Sequence, residues 1–163
     1  MDLIPYVTRK QQISDTKFAL IQYETAPRLV ITFSDKDNFT DAMSGVYWRD
    51  VDGGSGELKD DTLKESLEVV ATMFTKYGRA NAQRILVVFA SDDDSTSSED
   101  LLEADEKLRG AGIKVIPVVI TAPSDKDKFV EIHPKKKPPF VIERGRISPD
   151  NADPISDEIF KGS

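Results

Sequence analysis

"RILVVFASDDDSTSSED", residues 84–100, runs a block of apolar residues straight into Asp92, Asp93 and Asp94 and then a hydroxyl-rich tail. The apolar half is too short and too uniformly apolar for an amphipathic helix, so it reads as a central parallel strand covered on both faces. Aspartates crowded at the mouth of such a strand repel one another, so either water dissolves them or a cation gathers them. In the first case the run is a solvated loop whose acids favour the positive end of the next helix. In the second it is part of a metal site. The serines and threonine among the acids also form the pattern of a substrate for an acid-directed kinase.

Composition narrows the classes. The chain has 163 residues, 39% hydrophobic and 31% charged, which suits one globular domain spanning residues 1–163. No apolar stretch approaches the roughly 20 residues of a membrane span, and "MDLIPYVTRKQQ" carries no basic-then-apolar signal pattern. A net charge of −7 argues against nucleic acid as partner, because phosphate binding draws on clustered Lys and Arg. The absence of cysteine excludes disulfides and thiolate metal sites. A single histidine makes a His-based zinc site or a Ser-His-Asp triad a poor fit. The "GGSGE" run lacks the GxxxxGK[ST] spacing of a phosphate-cradling loop.

Outward from the strand, "DTLKESLEVVATMFTKYG" places Leu63, Leu67, Val70, Met73 and Phe74 at the helical period, with Gly78 at the C-cap. "SEDLLEADEKLRGAG" predicts a helix capped by Ser98, with Leu101, Leu102 and Leu108 inward and Gly110 near its end. "IKVIPVVIT" predicts a second buried strand, in which Pro117 marks an edge or a bulge. Upstream, the runs 16–25 and 28–35 read as a hairpin, the second an edge strand by the alternation of Leu29, Ile31 and Phe33. A short helix over 39–48 and an acidic, Gly-rich loop over 49–61 follow. Tyr47 and Trp48 read as core or hairpin cover. Residues 126–132 predict a helical turn, "HPKKKPP" an exposed basic loop, "PPFVIERG" a last strand, and "PISDEIFKG" a closing helix with Pro154 in its first turn. Strands alternating with helices after residue 60 imply parallel pairing, hence an α/β, doubly wound, mostly parallel sheet with an antiparallel edge hairpin. In such sheets ligands gather at the carboxyl ends of strands, where the aspartates fall.

These pieces resemble, in order, a von Willebrand factor type A domain. "KFALIQYETAPRLVITF" resembles the family's second and third strands. Gly53–Ser55 followed by "TLKESLEVVATMF" resembles its Gly-Gly-Thr loop and the helix behind. "YGRANAQRILVVFASDD" resembles the stretch ending in its Thr-Asp-Gly turn, and "LRGAGIKVIPVVI" the passage beyond. The resemblance implies a metal-ion-dependent adhesion site for Mg²⁺, or Mn²⁺ or Ca²⁺. On the matching positions Asp92 would be a direct ligand and Ser55 would supply a hydroxyl, with Thr62 a reserve for Ser55. Asp93 stands where the family has Gly. The Asp-x-Ser-x-Ser loop and the strand before it have no counterpart here, and "LIPYVTRKQQI" resembles the second half of the family's first helix. The fold so implied is N-terminally incomplete: two half-sheets with unpaired edges, unless a longer product or another chain donates the strand or the half-sheets pair with each other.

By resemblance the function is a non-enzymatic protein–protein binding and adhesion module, secreted or of the extracellular matrix or cell surface. Its ligand class is then a matrix or cell-surface protein, collagen-like or other. A structural type A domain with a decayed metal site competes with that reading. A third reading is a Mg²⁺-dependent phosphoryl-transfer protein of receiver or dehalogenase-like architecture, with an aspartate at a strand end as acceptor. It needs a companion carboxylate at a neighbouring strand end, whereas the first strand here runs into a hairpin.

Overall fold

The computed structural model describes residue 4 and residues 16–23, 27–44, 62–91, 96–120, 130, 138–143 and 148–160. In chain order the elements are β1 (Phe18–Gln22), β2 (Arg28–Ser34), α1 (Lys36–Ser44), α2 (Thr62–Tyr77), β3 (Arg84–Ser91), α3 (Ser98–Gly110), β4 (Ile113–Ile120), β5 (Phe140–Ile142) and α4 (Pro149–Phe160). The class is α/β. β3, β4 and β5 form a parallel sheet in that order, and β1 pairs antiparallel with β2.

The parallel sheet is wound on both sides. Leu63, Leu67 and Val70 of α2 and Leu101, Ala104 and Leu108 of α3 pack with Val88, Ala90, Val115 and Val119 of the strands. On the opposite face Ala152 and Ile155 of α4 meet Ile116, Val118 and Ile142. The helical period of "TLKESLEVVATMF" therefore places its apolar stripe as expected, with Leu63, Leu67, Val70 and Met73 buried. A third cluster joins Ile4, Ile31 and Phe39 under the hairpin, where the rings of Phe18 and Phe39 lie 5.4 Å apart.

Local chemistry shifts several expected boundaries. α1 starts at Lys36, not 39, because the Asp35 carboxylate accepts the Asn38 backbone N–H at 3.0 Å and so caps the helix. α3 is capped by Ser97 rather than Ser98, its hydroxyl accepting the Asp100 N–H. Gly110 is the last helical residue, and the chain leaves the helix through Gly112, the left-handed position at φ 69°. α4 begins at Pro149, so Pro154 lies inside the helix rather than in its first turn. Pro149 suits the first position, and the buried Ala152 belongs to the same inward stripe as Ile155. Pro117 causes no bulge: β4 matches β3 residue for residue from 113 to 120. It sits just before β5 begins at Val118↔Phe140, where β4 has a described partner on one side only. In the hairpin the register shifts near Leu20, which breaks the expected alternation and leaves Leu29 exposed and Ile31 buried.

No strand ladder joins the hairpin to the parallel sheet among the described residues, so they are two half-sheets; the Tyr23 hydroxyl, donating to the Phe89 carbonyl at 3.1 Å, links them. Of the turn expected at 126–132 only Val130 is described, and Tyr47, Trp48, the 49–61 loop and most of the basic loop lie outside the described residues.

Candidate functional site

Helix and strand lengths set the geometry of the candidate site. α2 has 16 residues and β3 has 8; at about 1.5 Å and 3.3 Å per residue they span about 24 Å and 26 Å. A short connection, residues 78–83, joins the end of α2 to the start of β3. The helix therefore runs back along the strand and brings Thr62 level with Ser91. α3 starts at Ser98, a few residues after β3 ends, so its N-terminus lies at the same end of the sheet.

An ion pair confirms this convergence. Lys64, in the first turn of α2, donates to the Asp100 carboxylate in the first turn of α3 at 2.8 Å, and its ammonium also lies 2.7 Å from Glu103. Lys107 continues the chain of charges to Glu103 and Glu68. The hydrogen bonds to Asp100 and then Glu103 raise the Lys64 pKa. Lys64 and then Ser97 lower that of Asp100. Glu103 is lowered by Lys64 and then Lys107. Sequence reading missed this network, because nothing local links residue 64 to residue 100. Two helix N-termini thus meet beside the C-terminal end of β3, and their partial positive charge favours ionised carboxylates there.

Asp92 and Ser55 lie outside the described residues. Thr62 is described only as the first residue of α2. Ser91, the last residue of β3, places the chain at the C-terminal edge of the sheet directly before Asp92. Among the described residues no group of three or more His, Asp or Glu is arranged to hold a metal ion. The hydroxyl-rich tail is not all solvated loop: Thr96 is buried and the Ser97 hydroxyl is engaged with Asp100. Thr96 is therefore closed to a kinase, whereas Ser97 is exposed. β1 ends at Gln22 and returns antiparallel through the hairpin, so no βα loop follows it.

The family model for the von Willebrand factor type A domain matches residues 4–147. The chain belongs to this family. Type A domains are protein-interaction and adhesion modules and are in general non-enzymatic. The type A fold recurs in solved structures. Proximal thread matrix protein 1 from the mussel byssus matches with a TM-score of 0.72 at 14% identity, covering 97% of this chain and 39% of that one. This type A domain thus spans about two fifths of the mussel protein. The SpRpn10 VWA domain matches at TM-score 0.67 and 12% identity, covering 93% and 79% of the two chains. BatB from Bacteroides thetaiotaomicron matches at 0.63 and 14%, covering 98% and 84%. Curated proteins give no significant match in sequence. No helix among the described residues is long and apolar enough to cross a membrane.

Proposed function

We propose that this type A domain is a protein–protein adhesion module of the extracellular matrix or cell surface, secreted, holding one divalent cation at the C-terminal end of β3. The observation that carries the reading is the position of Ser91. It ends β3, a parallel strand that lies at the outer side of the described three-stranded sheet rather than at its centre, where α2 and α3 both begin, and Asp92 is the next residue. Asp92 binds the cation directly, Ser55 directly or through water, and Thr62 stands in reserve at the start of α2. One carboxylate with hydroxyls suits Mg²⁺, which keeps several waters, and Mn²⁺ or Ca²⁺ are alternatives with the same oxygen ligands. The cation supplies an open position that takes a carboxylate from a matrix or cell-surface protein, collagen-like or other. That makes recognition metal-dependent. The likeness to a byssal matrix protein supports the matrix setting.

Titration calorimetry with Mg²⁺ and Mn²⁺ on the protein and on Asp92→Ala tests the site. Saturable binding that Asp92→Ala abolishes is the expected result. Binding that the substitution leaves unchanged sinks it and favours a structural type A domain with a decayed site, for which Asp93 in the family's glycine position speaks. A covalent phospho-aspartate at Asp92 would instead restore the phosphoryl-transfer reading.

A further inference from the structure

The tail "DSTSSED", residues 94–100, carries the pattern of an acid-directed kinase substrate and takes no part in the proposed cation site. The fold sorts its hydroxyls. Thr96 is 2% exposed, whereas Ser97 is at the surface, with Glu99 and Asp100 at the second and third positions downstream. Ser95 has a serine, Ser98, at its third position. Ser98 is exposed too, but its third position is Leu101, which is 0% exposed. Laying the chain out that far from Ser98 would pull a core side chain into water. Laying it out from Ser97 uncovers only surface, because Ser98, Glu99 and Asp100 form the first turn of α3 ahead of Leu101.

Ser97 already has the backbone of an extended substrate. As the N-cap of α3 it has φ −70° and ψ 156°. Its hydroxyl accepts the Asp100 N–H at 3.2 Å and donates to the Asp100 carboxylate. Helix ends fray, and opening this turn breaks only that pair of hydrogen bonds and the partly exposed Lys64–Asp100 ion pair. A separate helix supplies a second feature at the same spot. Lys64 of α2 donates to Asp100 Oδ1 at 2.8 Å, while Ser97 engages Oδ2 of that carboxylate. The ammonium and the Ser97 oxygen thus flank one carboxylate, which puts Lys64 within reach of a phosphate carried on Ser97.

We propose that Ser97 is a phosphorylation site for a kinase that reads acidic residues downstream of its acceptor, and that the phosphate docks on the N-terminus of α3 and on Lys64. The Ser97 oxygen attacks the γ-phosphorus of Mg²⁺-ATP. The new O–P bond forms as the bond to the β,γ-bridging oxygen breaks, ADP leaves with that electron pair, and the hydroxyl proton passes to the kinase's base. The product carries a charge of about −1.5 to −2 at neutral pH. First-turn N–H groups have no carbonyl partner within the helix, and with the helix's positive end they favour that anion. Lys64 exchanges Asp100 for the phosphate and stays paired with Glu103, so the modification ties α2 to α3 more firmly. None of this depends on the cation reading.

The test incubates the folded full chain with Mg²⁺-ATP and an acid-directed casein kinase. Mass spectrometry should find a phosphate on Ser97. Ser97→Asn, which keeps a capping oxygen but has no hydroxyl, should lose the incorporation while circular dichroism shows a folded chain. Phosphorylation should raise Tm by about 2–4 °C. Comparing modified and unmodified protein, Lys64→Met should remove most of that rise. Three results would overturn the proposal: no incorporation unless the chain is first unfolded in urea; phosphate on Ser95, Thr96 or Ser98 in place of Ser97; or a change in Tm that Lys64→Met leaves intact.

Discussion

Truncating two buried leucines of α2 and α3 should give unequal losses of stability, and the inequality measures the cavity of about 490 Å³ between β1 and β3. Leu108 is 0% exposed and Leu67 2%, so burial alone ranks them together. Replacing either by alanine forfeits the transfer of about three carbon groups, roughly 2.4 kcal/mol at 0.8 kcal/mol each. The remainder depends on the space left behind, which costs up to about 2.5 kcal/mol more where the surroundings hold their places. Leu108 is packed against α3's own neighbours and β4 in the main cluster and does not line the cavity. Leu108→Ala should therefore cost about 4–5 kcal/mol. Leu67 borders the existing cavity. Its truncation enlarges a space already present and severs contacts mainly on one side, so Leu67→Ala should cost about 2.5 kcal/mol. Urea unfolding followed by circular dichroism reads both, with the midpoint moving at constant slope. Equal losses, or a larger loss at Leu67, would show that the half-sheets close over the gap in solution, and the cavity reasoning would fail.

The ion-pair network predicts an acid limb of the stability curve. Asp100 and Glu103 have folded pKa values below their ordinary 3.8 and 4.5, so their stabilisation is present above those values and disappears as pH falls through the lower folded ones. Lys64 is raised above 10.5, so its share is complete below that value and fades only as pH rises through the raised one. Urea midpoints should thus be flat near neutrality and fall in acid, and Asp100→Asn should flatten the fall; an unchanged acid limb refutes the pairing. At the end of α3 the two glycines should respond with opposite sign. Gly112→Ala forces a Cβ onto a backbone at φ +69° and should cost about 1–2 kcal/mol. Gly110→Ala, helical with open space around it, should gain about 0.5–1 kcal/mol. Thermal melts of the two variants check this, and a matching sign would refute the assignment of Gly112 as the terminator.

Local pattern alone determined the elements and the class. The apolar block 84–90, the period of Leu63, Leu67, Val70 and Met73, and the hairpin around residues 18–34 each follow from burial acting on a fixed repeat. Pattern also placed Asp92 directly after a buried parallel strand, though in the described sheet that strand lies at the outer side rather than at the centre. It could not choose between Ser97 and Ser98, or between Gly110 and Gly112. A cap is fixed by φ and ψ at one residue, and neighbouring serines or glycines are equal in composition. Only the folded chain brought Lys64 to Asp100, because attraction between residues far apart in sequence has no local trace. The resemblance implied two half-sheets, and tertiary structure decided that among the described residues they do not pair with each other. Each strand's hydrophobicity is satisfied by the helices over its faces, whereas strand pairing depends on which backbone edge lies alongside, and side-chain pattern does not encode that.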